Sequence, residues 1–95
     1  MEAKEYEARL SKLREEIDAI DGELLPLFLR RMGCSAQVAQ LKGEAGMPVF
    51  SPQREQAILD KVRARGGEDG DAAAALYSSI MAISRAKQHK ILQNG

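Results

Sequence analysis

The chain has 95 residues, with 14 Lys and Arg balanced by 14 Asp and Glu, one His and one Cys. That length makes one small domain over residues 1–95. Zero net charge removes the general electrostatic case for nucleic acid or an anionic membrane, and a lone Cys with a lone His supplies neither an internal disulfide nor a metal-ligand set.

The first predicted element is a long helix over Leu10–Lys42, which the strong helix formers at residues 3–9 extend backward. Its apolar residues recur at steps of three and four: Leu10, Leu13, Ile17, Ile20, Leu24 and Leu27. The same count continues through Arg31, Cys34, Val38 and Leu41, so Arg31 stands where an aliphatic is called for. Lys42 lies only about 20° from Arg31 around the helix. Between Leu24 and Lys42 there are three basic residues and no acidic one, so these cations need an anion from another part of the chain, another subunit or a ligand. Acids crowd the first half and bases the second, which complements the helix dipole. Pro26 removes one hydrogen bond and presses on the carbonyl of Gly22, and a kink is predicted there rather than a break, because the stripe keeps its phase. A helix of this length runs about 50 Å, against a radius of gyration near 12 Å for a compact chain of this size. It overhangs any single-chain core, which predicts association, most simply as a two-fold homodimer.

Gly43 and Gly46, then Pro48, are predicted to end this helix. Ser51-Pro52 reads as an N-cap and first-turn proline, opening a second helix over Pro52–Arg65 with Ile58, Leu59 and Val62 inward. Gly66-Gly67 stops it, Glu68 to Asp71 form a polar loop, and Asp71 is the predicted cap of a third helix over Ala72–Gln93. Its predicted inward residues are Leu76, Tyr77, Ile80, Ile83 and Ile91, with Ser84 and Gln88 on or beside the stripe. No strand pattern is present, so the fold class is all-α, three helices per chain. The opening Met1-Glu-Ala-Lys-Glu-Tyr-Glu lacks the apolar core of a secretory signal, and no apolar run approaches membrane-spanning length, which predicts a cytoplasmic protein without a membrane partner.

Arg31, Lys42, Arg54, Glu55, Ser84 and Gln88 are the polar residues at core-like positions or beside a helix start. Two or three cations, one carboxylate and two neutral hydrogen-bonding groups suit a small, multiply charged anion. Taken singly, Arg31 also reads as a snorkelling residue, Lys42 as a dipole-favoured cation, Arg14 as a surface ion-pair residue, and Arg54 and Glu55 as ordinary first-turn residues. There is no nucleophile–base pair and no Gly-rich phosphate loop, so an enzyme built from these residues works by positioning and electrostatics, with no cofactor.

From Leu10 to Leu92 the chain resembles the small, all-helical, intertwined-dimer chorismate mutases. The resemblance rests on Leu13-Arg-Glu-Glu-Ile-Asp-Ala-Ile-Asp, Leu24-Leu with Arg30-Arg31, Val38-Ala-Gln-Leu-Lys42, Pro48-Val-Phe-Ser-Pro-Gln-Arg54-Glu55, and Ser84 with Gln88. It implies the rearrangement of chorismate to prephenate in phenylalanine and tyrosine synthesis. It also implies that Arg31 grips one substrate carboxylate and that Arg14 reaches the other from the neighbouring subunit. Lys42 and Gln88 would donate to the ether oxygen, Glu55 would accept from the ring hydroxyl, and Ser51, Arg54 and Ser84 would support the site. Position 51 is Ser where the family often has Asp, and Arg85 adds a cation where many members are apolar. The related isochorismate pyruvate-lyase shares the fold and most of these residues, and a non-catalytic helical dimer acting as an interaction module is the alternative of another class.

Overall fold

The computed structural model describes residues 1–94. It contains α1 (Ala3–Ala45), α2 (Pro52–Arg65) and α3 (Gly70–Asn94), with a single 3-10 turn at Gly67–Asp69 leading into α3. The described residues form no strand. Two compact units divide the chain, Met1–Met32 and Gly33–Gly95.

Helix α1 is unbroken through Pro26, so the roughly 3 kcal/mol that an interior proline costs is outweighed over its 43 residues. It runs three residues past the predicted end. Gly43 stays helical, and a Cβ there would come 2.8 Å from Leu92 Cδ2 of α3. The stop comes at Gly46, whose φ is +70°. The Met47 N–H returns to the Lys42 carbonyl at 2.8 Å and the Gly46 N–H to the Gly43 carbonyl at 3.3 Å, the paired closure of a Schellman ending.

In the N-terminal unit the apolar stripe lies open. Leu13, Ile17, Ile20, Leu24 and Leu27 are each more than half exposed. In the C-terminal unit the packed face of α1 is Ser35, Ala39 and Lys42, while Cys34, Val38 and Leu41 face out, which shifts the predicted stripe around the helix.

Helix α2 matches its predicted bounds. Ser51 occupies the N-cap with extended backbone and Pro52 follows it, but the Ser51 hydroxyl makes no capping bond. Its carbonyl accepts the Glu55 N–H at 3.1 Å instead. Ile58, Leu59 and Val62 are half-buried. The Gly66 N–H closes on the Val62 carbonyl at 2.9 Å, and Gly67 turns the chain with φ +57°.

The start of α3 corrects the expected cap. Asp71 lies inside the helix and pairs through Oδ1 with Arg63 Nε of α2 at 3.1 Å. The helix begins at Gly70, which is buried and packs so closely on α2 that a Cβ there would land on the Arg63 carbonyl oxygen. Backbone cannot move aside as a side-chain end can. Gly70→Ala is expected to cost about 1–3 kcal/mol, even after the roughly 1 kcal/mol that alanine gains in helix propensity. A urea melt checks this; an unchanged midpoint would mean that the two helices separate at no cost.

The inward face of α3 also differs from expectation. Leu76 and Ile83 are 52% and 50% exposed, whereas Ala74, Met81, Ser84 and Gln88 are buried and Tyr77 and Ile91 half-buried. The packed seam therefore runs 74, 77, 81, 84, 88, 91, rotated by about 100° from Leu76 and Ile83. The buried apolar residues are Ala39, Val49, Ala74 and Met81, and no large side chain is fully buried among the described residues. A core this small leaves a short chain weakly supported by its own packing.

Candidate active site

The polar residues gather around the end of α1, the connector that follows it, the first turn of α2 and the middle of α3. Lys42 occupies the last turn of α1, where the dipole favours a cation. Its Nζ donates to the Val49 carbonyl at 2.7 Å. That bond fixes one of the three ammonium hydrogens and leaves two to aim elsewhere. Gln88 is 8% exposed and donates from Nε2 to the Ser35 carbonyl at 2.9 Å, keeping its second amide hydrogen for another acceptor. Ser35 and Lys42 stand seven residues apart on one face of α1, about 10 Å along the axis. So α3 delivers Gln88 to the same face from which Lys42 projects. Ser84, one turn before Gln88, is 6% exposed. Both polar residues sit in the packed seam of α3, where an aliphatic would serve packing better.

Glu55 is half-buried in the first turn of α2, where the helix dipole favours its charge. Its Oε1 pairs with Nη1 of Arg85 on α3. Arg85 Cζ lies 5.1 Å from the Phe50 ring centroid, within cation–π range. The sequence had offered Arg85 no role. It lies between Ser84 and Gln88 on α3, with its carboxylate 30 residues away in sequence. A cation flanked by two polar residues at helical spacing was the available signal.

Ser51 is half-buried beside this cluster in the chain, and Arg54 is exposed. Arg14 and Arg31 belong to the N-terminal unit, Arg14 exposed and Arg31 half-buried. The C-terminal unit thus unites Lys42, Glu55, Ser84 and Gln88 with Arg85. Two anchored donors, a buried hydroxyl and a paired carboxylate lie in one unit of the described residues.

The profile of the family described as chorismate mutase type II matches residues 13–89, a span that contains every one of these groups. The chain belongs to the type II chorismate mutase family. Its similarity to a chorismate mutase of Methanocaldococcus jannaschii is 36% identity over 55 residues, which is 58% of this chain and 56% of that protein. A T-protein of Haemophilus influenzae is 39% identical over 61 residues, 64% of this chain and 16% of that protein. A 4-amino-4-deoxychorismate mutase of Streptomyces venezuelae is 33% identical over 61 residues, 64% of this chain and 59% of that protein. The chain therefore spans little more than half the length of two of these relatives and about a sixth of the third. No solved structure matches the chain significantly.

Proposed function

We propose that the chain is a chorismate mutase, converting chorismate to prephenate in the synthesis of phenylalanine and tyrosine. In this reaction the ether C–O bond breaks as a C–C bond forms within one molecule, and no proton or group passes to the protein. The observation that carries the reading is the pair of donors tethered to backbone carbonyls, Lys42 on Val49 and Gln88 on Ser35, each with hydrogens to spare. Such donors stabilise charge that grows on the ether oxygen and so favour the transition state over the ground state. Glu55 accepts from the ring hydroxyl, with Ser51, Arg54 and Ser84 supporting the site.

The two substrate carboxylates fall to arginines, whose planar forks match them. Arg31 takes one from its own chain, and Arg14 takes the other in the neighbouring protomer of a two-fold homodimer. The open stripe of α1 supports this assembly, because a second copy presents the same stripe and a two-fold axis lets each cover the other. The exposed Leu76 and Ile83 on α3 offer further apolar area. The proposed compartment is the cytoplasm, in keeping with a chain in which no described helix is long and apolar enough to cross a membrane.

The name of the Streptomyces relative places an amino group where chorismate carries its C4 hydroxyl. For this chain the hydroxyl substrate is proposed. The test is a chorismate-consumption assay with product identification, run beside Arg31→Ala. Prephenate formation that falls at least about a hundredfold in the variant supports the mutase. Pyruvate released from isochorismate with little prephenate would replace it with the lyase. No turnover by a folded protein would leave a non-catalytic helical dimer.

A further inference from the structure

We propose that Arg85 determines which ring substituent the site accepts: its ion pair with Glu55 admits a neutral hydroxyl and turns away a protonated amine. The inference rests on the mutase reading and on Glu55 facing the C4 substituent. A carboxylate standing alone would welcome either group, since it accepts a hydrogen bond from a hydroxyl and attracts an ammonium more strongly still. Here it does not stand alone. One of its oxygens, Oε1, is held by Arg85 Nη1, so the other remains as an acceptor. The charge that would draw an ammonium is offset by a guanidinium beside it.

The arrangement is built rather than incidental. The Arg85 side chain is 32% exposed and that of Glu55 21%, so both are screened less than surface groups. The Phe50 ring lies against the guanidinium and restricts its position. Arg85 comes directly after Ser84 and three residues before Gln88, so the helix that carries the two buried polar groups also carries this cation. An amine in place of the C4 hydroxyl is protonated at neutral pH. Bound against Glu55, it would bring a second cation next to Arg85, and like charges at such range are a standard means of excluding the wrong partner.

The test compares kcat/KM for chorismate and for 4-amino-4-deoxychorismate in the wild type, Arg85→Val, Arg85→Gln and Arg85→Lys. The wild type is expected to favour chorismate. Removing the charge with Val or Gln is expected to shift the ratio toward the amine by about tenfold or more, and Lys to keep most of the preference. In a Glu55→Gln background the Arg85→Val change is expected to shift the ratio toward the amine as well, because the guanidinium there repels an ammonium with no carboxylate to offset it. Gln serves where Val does not fold, and the wild-type ratio needs no variant. A wild type that uses the amine as well as chorismate overturns the inference and leaves the mutase reading intact, as does a ratio unmoved in folded Val or Gln variants. A wild type that rearranges neither compound overturns the mutase reading, and the inference with it.

Discussion

Lys42→Ala is expected to lower kcat on chorismate by about 10²- to 10³-fold, with KM changed far less. As the ether bond stretches, negative charge collects on one oxygen, and an ammonium at hydrogen-bond distance gains strength with that charge. Alanine removes the cation from the transition state while the substrate carboxylates keep their own arginines, so the loss falls on kcat. There is a structural cost as well. The Val49 carbonyl loses its Lys42 partner, and a buried acceptor left in that condition costs about 1–3 kcal/mol. A urea melt beside the steady-state kinetics separates the two effects. A kcat within about threefold of wild type, well below the effect of losing one such donor, would remove Lys42 from the chemistry.

The second large effect concerns assembly. Ile20→Glu is expected to convert the proposed dimer to monomer and to abolish mutase activity together with it. Ile20 lies mid-stripe between Ile17 and Leu24, and all three side chains are more than half exposed in the single chain. Burying what remains exposed is worth about 1 kcal/mol for each such side chain. A glutamate there gives up that gain and places an unpaired charge among apolar neighbours, at a cost of several kcal/mol. Two-fold symmetry repeats the cost on the other protomer. Sedimentation or light scattering reads the mass. On the proposed reading, activity goes with the dimer because a monomer would have no neighbour to lend its Arg14. A dimeric, active Ile20→Glu protein would place the interface elsewhere.

Some features were legible in the sequence because they depend on neighbours in the chain. The bounds of α2 follow from Ser51-Pro52 and Gly66-Gly67, and the helix runs as those residues dictate. The end of α1 was less so. Two glycines stood near it, and only packing separates them: Gly43 lies under Leu92 within the helix, whereas Gly46 takes the left-handed turn. The start of α3 was hidden for the same reason. Asp71 has the chemistry of a cap, but the close approach of Gly70 to the Arg63 carbonyl accompanies a helix that starts two residues earlier than predicted, and that contact is tertiary.

The seam of α3 shows where hydropathy misleads. Leu76 and Ile83 are more apolar than Ser84 and Gln88, yet the polar pair is the buried one. Gln88 brings its own hydrogen-bond partner across from α1, which offsets its desolvation. The four polar groups Lys42, Glu55, Ser84 and Gln88 were readable as misfits of pattern. Arg85 was not, because its meaning lies in Glu55 and Phe50, brought near it only by the fold.

Under the proposed mechanism, the hydrogen bond from Lys42 to the Val49 carbonyl would give the short connector between α1 and α2 a share in catalysis. A lysine stem free to rotate holds about 1.5–2 kcal/mol of rotamer entropy, which would otherwise be lost each time a substrate arrives. Here a peptide carbonyl restrains it once, during folding, so that turnover does not repeat the loss. The restraint comes from main chain. Most side-chain substitutions at Val49 would preserve it, while inserting or deleting a single residue between Gly46 and Ser51 would displace the carbonyl and set the lysine adrift. In this segment spacing carries the information that identity carries elsewhere.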